Sequence, residues 1–318
     1  MGVPQGSIAG PILFNVFLND LLIMLSEECT VYNYADDNTL SFSHEDPFLV
    51  KRTLENAARK AIEWFSNNSM KANPNKFQAI IFQTKRGENA INEFSITDEI
   101  TIKTVDYVKL LGLTIDKELD FSQHIKEIIG KCSRLTNAVA RLSKLLSTDS
   151  KMAIFRAFVQ STLDYCSAIY HHCNMNDARK IELIQKRFLR IILNDYDSSY
   201  IELLSKAKQD SQFLCRQRSL IEIVHRIINN LLPPIDDTFF TARATEHNLR
   251  GLNMLVKPRY KRKKYGYRSL SFQGPTLWND LPDEMRNEQN HKKFKSLTKA
   301  WDPKCQCNSC SLCTLNAI

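Results

Sequence analysis

The chain has 318 residues, of which 43% are hydrophobic and 25% are charged, a composition ordinary for a soluble globular protein of roughly two domains. Its formal net charge of +8 mildly favours a polyanionic partner. No apolar run approaches the ~18 residues of a membrane span, and the first residues match neither a signal peptide nor a myristoylation signal. Nine scattered cysteines fit no disulfide framework. We therefore expect an intracellular protein, nuclear or cytoplasmic, without membrane association.

The first residues predict a glycine-rich loop followed by an apolar helix. Residues 8–26 are apolar nearly all round, which predicts a helix that is buried on most sides. Pro11 is compatible with this helix only in its first turn. Gly2 and Gly6 would let the backbone approach a ligand closely. On chemistry alone, a plain glycine-rich loop before a core helix explains the segment equally well.

Residues 29–42 predict a β-hairpin with two adjacent acids at or near its tip. Residues 29–34 are rich in β-branched and aromatic types, residues 39–42 alternate polar with apolar, and the Asp-Asp-Asn between them is typical of a turn. Adjacent carboxylates repel each other unless a cation neutralises them, and Mg²⁺ prefers oxygen ligands. Asp36 and Asp37 are therefore candidate magnesium ligands, and a polar tip that merely faces water is the alternative.

These two segments, in this order, resemble the reverse transcriptases of non-LTR (LINE-like) retrotransposons. The resemblance is carried by Gly2-Val3-Pro4-Gln5-Gly6-Ser7, Gly10-Pro11 and Tyr34-Ala35-Asp36-Asp37. It implies that the first segment opens a palm helix beside the template and the incoming nucleotide. The residues then expected to contact substrate or template are Gly2, Pro4, Gln5, Gly6 and Tyr34. It also implies that Asp36 and Asp37 are catalytic and hold two Mg²⁺ ions for nucleotidyl transfer, with RNA template, DNA primer and dNTP as partners.

A predicted helix over residues 47–68 follows, and then strands up to residue 116. By resemblance, Lys76 takes the place of a lysine near the triphosphate, where it would neutralise or protonate the departing pyrophosphate; a solvated loop lysine is the alternative. Gly112 lies between two apolar runs. It resembles the turn of the last palm hairpin, which grips the primer end, and a bulge in an ordinary strand is equally compatible.

Helices dominate from about residue 120. Apolar residues at three- and four-residue steps predict helices over 122–146, 149–170, 177–192 and 213–232. Basic residues, among them Arg134 and Arg141, lie mostly outside the apolar stripe of the first of these helices. By resemblance this block is the thumb that packs on the primer–template duplex. Its charges either contact phosphates or are simply solvated.

The last 60 residues contain a basic, aromatic stretch and a cysteine cluster. Residues 257–268 read KPRYKRKKYGYR, and three roles remain open for them: nucleic-acid contact, a nuclear-import signal or a flexible basic loop. The core of this stretch is Lys261, Arg262, Lys263 and Lys264. Residues 274–282 resemble a segment common after the reverse transcriptase in such elements, with Trp278 expected to pack. Cys305, Cys307, Cys310 and Cys313 are either a zinc site or free thiols, and the cramped spacing favours free thiols.

Together these patterns predict an α+β protein. We expect a partial polymerase palm over residues 1–120, an all-α thumb-like region over 121–232 and a basic, cysteine-containing region over 233–318. Because the chain starts directly before the glycine motif, we expect a fragment of an RNA-directed DNA polymerase that lacks the upstream palm strand with its aspartate and the fingers. Such a fragment should have little or no activity alone. The alternatives are a noncatalytic nucleic-acid-binding remnant of a retroelement and a helical interaction protein.

Overall fold

A computed structural model of the chain describes residues 6–83, 91–233, 239–242 and 253–301, except for the side chains of residues 263 and 264. The chain divides into two compact units, Met1–Leu110 and Leu111–Ile318. Small antiparallel sheets and helices make up the first unit, and helices predominate in the second. The predicted mixture of helices and antiparallel strands is therefore confirmed. In the described part of the chain, no helix is long and apolar enough to cross a membrane.

In its described residues, the first unit contains two α-helices and five short strands. Pro11 lies in the first turn of its first helix, as expected, and Asp46 caps the second helix by accepting a hydrogen bond from the Phe48 amide at 2.9 Å. Strands β1 and β2 pair, as do β3 and β4, both antiparallel. In chain order the elements are α1 Gly10–Ser26, β1 Thr30–Tyr34, β2 Asp37–Ser41, α2 Pro47–Asn67, a 3-10 turn Pro74–Lys76, β3 Glu93–Ser95, β4 Thr101–Lys103 and β5 Tyr107–Leu110.

The core of this unit lies between one side of α1, the β1–β2 hairpin and α2. Its buried members are Leu18, Leu21, Leu25, Cys29 and Ala57.

The opposite side of α1 is open. The side chains of Ile12, Val16 and Ile23 are 63%, 69% and 59% exposed. The prediction that this helix is buried on most sides is therefore wrong for the described residues, because the hairpin and α2 cover only the side that carries the three buried leucines.

The second unit contains one strand and nine α-helices within its described ranges. The elements are β6 Leu113–Asp116, α3 Ser122–Arg141, α4 Thr148–Ile154, a π-helical segment Phe155–Gln160, α5 Ser161–Asp164, α6 Met175–Leu193, α7 Tyr200–Ala207, α8 Gln212–Ile228, a second π-helical segment Lys263–Tyr267, α9 Leu270–Asn279, α10 Asp283–Arg286 and α11 His291–Ala300. The single helix predicted over 149–170 is instead α4, a π-helical segment and α5. It ends early because Tyr165 is extended and Cys166 adopts a left-handed backbone with φ 54°.

Two hydrophobic cores support the described part of this unit. The first packs α3 to α7 around Phe155 and Phe188, whose ring centroids are 5.3 Å apart. The second packs α8 to α11 around Trp278 and Phe294. Trp278 is buried and donates its Nε1 hydrogen to the Asn253 carbonyl at 2.8 Å, so the prediction that it packs is confirmed.

Candidate functional site

The predicted hairpin is present, with both acids at its tip. Tyr34 pairs with Asp37, so Ala35 and Asp36 are the two residues of the turn. Ala35 has φ 53°, a left-handed conformation that costs an L-residue roughly 1–2 kcal/mol. Both aspartates are exposed. The turn thus presents two neighbouring carboxylates to solvent, on a backbone that a non-glycine residue adopts only under strain.

A cross-strand hydrogen bond and packing on the core stabilise the hairpin next to this turn. Asn33 Nδ2 donates to Asn38 Oδ1 at 2.8 Å, directly across the two strands. Two pairs further down, Val31 opposes Leu40, and both pack on the core of the first unit. Residues opposite each other in a pair share a face of the sheet. Tyr34 and Asp37 therefore lie on one face, with Tyr34 exposed beside the acids.

The aspartate pair suits a hard divalent cation whose other ligands come from water or substrate. Mg²⁺ is commonly bound by one or two carboxylates together with water and substrate phosphates. No group of three or more His, Cys, Asp or Glu side chains that could enclose a metal occurs among the residues with described positions. Asp20, another aspartate of this unit, does not join the pair at the hairpin turn. Its carboxylate accepts hydrogen bonds from Trp64 Nε1 at 3.2 Å and from the Leu21 amide at 3.0 Å. The two carboxylates thus fit an open magnesium site, in which water and substrate phosphates supply the other ligands.

Gly6 and Lys76, two other predicted residues of the first unit, lie on separate described segments. Gly6 has φ +82° and open space where a Cβ would point, while Ser7 Oγ accepts from the Gly10 amide at the start of α1, at 3.0 Å. Lys76 is exposed at the end of its 3-10 turn, and its role at a triphosphate remains a prediction. The other three residues predicted to contact substrate or template lie outside the described residues: Gly2, Pro4 and Gln5.

In the second unit, Gly112 occupies a turn with a backbone conformation that L-residues rarely adopt. Its φ is +89°, and a Cβ there would lie 3.5 Å from the Tyr165 ring. Tyr165 donates its hydroxyl hydrogen to the Leu111 carbonyl at 2.5 Å. Tyr165 was not identified from sequence, because 53 positions separate it from Gly112 and no motif marks it.

The predicted nucleic-acid contacts of the second unit are solvent-exposed where they are described. Arg134 lies on α3, Arg141 is the last residue of that helix, and Lys261 and Arg262 precede a π-helical segment. Two groups of predicted side chains fall outside the described residues: Lys263 with Lys264, and Cys305 with Cys307, Cys310 and Cys313.

Comparison with known proteins supports the resemblance seen in the motifs. The family model described as reverse transcriptase (RNA-dependent DNA polymerase) matches residues 1–115. The RNA-directed DNA polymerase from mobile element jockey of Drosophila melanogaster is 27% identical over 201 residues, which are 60% of this chain and 22% of that protein. The probable RNA-directed DNA polymerase from transposon BS of the same fly is 26% identical over 200 residues, again 60% of this chain and 22% of that protein.

A relative outside Drosophila shows the same similarity. The Pol polyprotein from the type-1 retrotransposable element R1 2 of Nasonia vitripennis is 23% identical over 185 residues, 54% of this chain and 43% of that protein. The chain thus spans about a fifth of the length of the fly relatives it matches. No solved structure matches the chain significantly. Residues 1–115 therefore match the reverse transcriptase family model, and over part of its length the chain is similar to the RNA-directed DNA polymerases of non-LTR retrotransposons.

Proposed function

We propose that Asp36 and Asp37 hold magnesium for RNA-directed DNA polymerisation. One observation carries the proposal: two adjacent, exposed carboxylates stand at a two-residue turn, within the segment that matches the reverse transcriptase family. The strained backbone at Ala35 supports it, because backbone strain of this kind clusters at functional sites. On this proposal the partners are an RNA template, a DNA primer and a dNTP.

Each predicted site residue then has a defined role in the reaction. Two magnesium ions, when bound, would stabilise the attacking and leaving oxygens of the transferred phosphoryl group, and Asp36 and Asp37 would supply carboxylate oxygens to them. Lys76 would neutralise charge on the departing pyrophosphate. The open space beside Gly6 would let the chain approach a nucleotide without a side chain in between. Gly112, fixed by Tyr165, would contact the primer end.

We assign the regions of the chain accordingly. Residues 1–120 would be polymerase palm, residues 121–232 a thumb-like region, and residues 233–318 a basic region outside both. The helical first core of the second unit and the exposed Arg134 and Arg141 support a thumb that contacts phosphates.

A primer-extension assay tests the proposed reaction. With an RNA template, a DNA primer, dNTPs and Mg²⁺, we expect weak incorporation by the 318-residue chain, in keeping with the prediction of little activity alone. Asp36→Asn and Asp37→Asn should each lower that incorporation at least ~100-fold, because they remove a ligand that stabilises transition-state charge. A single-turnover format with excess protein makes the weak signal measurable.

Asp98→Asn provides the matched control, since Asp98 is an exposed aspartate of the same unit and should leave incorporation unchanged. Incorporation that persists in both hairpin variants would refute the catalytic role of the pair. Robust extension that both variants abolish would support the role and refute the prediction of low activity.

A further inference from the structure

The excess positive charge of the chain is concentrated in one segment of the second unit. Residues 253–301 contain 12 Lys or Arg and 4 Asp or Glu, a net charge of +8. The whole chain also has a net charge of +8, so the remaining residues are balanced. Within the segment, four exposed basic residues lie close together in sequence: Lys257, Arg259, Lys261 and Arg262. A local field of this kind attracts polyanions.

Aromatic rings are interleaved with these cations and are partly open to solvent. Tyr260 is 45% exposed and Tyr267 is 37% exposed. Their ring centroids lie 5.8 Å apart, and the Phe272 ring packs on both, at 4.9 Å from Tyr260 and 5.4 Å from Tyr267. We call residues 257–268 together with Phe272 the basic aromatic surface.

The basic aromatic surface is attached to helix α9. Gly266 is required for it, because a Cβ there would overlap the Tyr260 Cβ. Gln273 Nε2 donates to the Tyr267 carbonyl at 2.8 Å, and Ser269 Oγ donates to the Gly266 carbonyl at 2.6 Å. These bonds attach the stretch to α9, the helix that carries buried Trp278. The rings are thus held in place before any ligand arrives.

We propose that the basic aromatic surface binds single-stranded nucleic acid. The cations match a phosphodiester backbone, and fixed, half-open tyrosine rings match unpaired bases, which stack on such rings whatever their sequence. A duplex would use the cations alone, because its bases are already stacked. An import receptor or another acidic protein would likewise leave the exposed rings without a function. The surface acts independently of Asp36 and Asp37.

Fluorescence anisotropy of labelled oligo(U), oligo(dT) and a blunt duplex tests this with the full chain across a salt series. The triple variant Lys257→Gln/Arg259→Gln/Lys261→Gln should lower the slope of log K against log salt for single strands by about 2, at about 0.7 per lost phosphate contact. Tyr260→Leu should weaken single-strand binding about tenfold and leave duplex binding unchanged. Tyr260→Phe keeps the ring and should bind like the parent.

A second triple variant, Arg52→Gln/Lys103→Gln/Lys208→Gln, removes the same charge from exposed positions elsewhere and should keep the parent salt slope. Thermal melts verify that each variant is folded. The proposal is overturned if both triple variants weaken binding equally, if Tyr260→Leu changes nothing, or if the parent chain binds none of the single strands. Asp36→Asn/Asp37→Asn should bind oligo(U) like the parent, so failure of the polymerase proposal would not disturb this result.

Discussion

Glu182→Ala should destabilise the second unit by about 3–5 kcal/mol, the cost of leaving a buried charge without its partner. Glu182 accepts hydrogen bonds from the Tyr200 hydroxyl at 2.7 Å and from the amides of Gln212 and Phe213 at 3.0 and 2.7 Å. Its Oε1 also lies 3.7 Å from Arg216 Nη2, and the Arg216 side chain is only 3% exposed. The carboxylate therefore joins α6, α7 and α8 and compensates a buried cation.

Chemical denaturation measures this loss. Glu284→Ala removes an exposed carboxylate of the same unit and should change the free energy of unfolding by less than about 0.5 kcal/mol. Adding Arg216→Met to Glu182→Ala should recover part of the loss, because the buried cation is then gone. A loss below about 1 kcal/mol for Glu182→Ala would show that the carboxylate does not compensate Arg216.

Acid should destabilise the same unit through two adjacent histidines, the buried His171 and the half-buried His172. Burial, and then the nearby charge of Arg268, lowers the pKa of His172 to about 4. Burial, and then the neighbouring His172, also holds the pKa of His171 well below its usual value. The charge of Arg216 also lowers the pKa of both histidines, whereas a hydrogen bond with Gln273 partly raises the pKa of His172 again. Both imidazoles are therefore neutral in the folded protein near neutral pH.

The sign of the pH effect follows from these shifts. The unfolded chain takes up protons on histidine near pH 6.5, whereas the folded protein resists protonation until about pH 4 at His172. The two neutral imidazoles therefore contribute their full stability to the folded protein above about pH 6.5. This contribution is lost as the pH falls towards 4. For His172 alone the loss should reach about 3 kcal/mol, at 1.36 kcal/mol for each unit of pKa.

Urea denaturation across this pH range measures the effect. The variant His171→Asn/His172→Gln should have a flatter pH profile than the parent between about pH 6.5 and 4. His44→Gln replaces an exposed histidine and should follow the parent. Carboxylates with lowered pKa, among them Glu288, titrate in all three proteins, so the difference between the pH profiles isolates the contribution of His171 and His172. Parallel profiles for the parent and the double variant would contradict this account.

The hairpin was predictable because its signals are local. Strand-forming residues on both sides and Asp-Asp-Asn between them indicate two strands and a tight turn. The structure has this hairpin, but its turn is Ala35-Asp36, and Asp37 and Asn38 belong to β2. The left-handed backbone at Ala35 was not predictable, because glycine or asparagine is the usual choice at such a position. The Asn33–Asn38 bond could have been anticipated from two amides placed symmetrically about the turn.

Features that depend on distant parts of the chain were not predictable. The apolar residues of α1 indicate a buried helix, but composition does not reveal which sides have neighbours, and Val16 is exposed. The break at Cys166 has no glycine or proline to mark it. The partners of Glu182 lie up to 34 positions away and are assembled only by the packing of three helices.

Iron-mediated backbone cleavage tests most directly whether Asp36 and Asp37 hold a divalent metal. Fe²⁺ takes the place of Mg²⁺, and with ascorbate and peroxide it generates hydroxyl radicals that cut the chain next to the bound ion. We expect cleavage within residues 34–38 in the parent and in Asp98→Asn, suppression of that cleavage by excess Mg²⁺, and its loss in Asp36→Asn/Asp37→Asn. Cleavage confined to other segments, or unchanged cleavage at the hairpin in the double variant, would contradict the account.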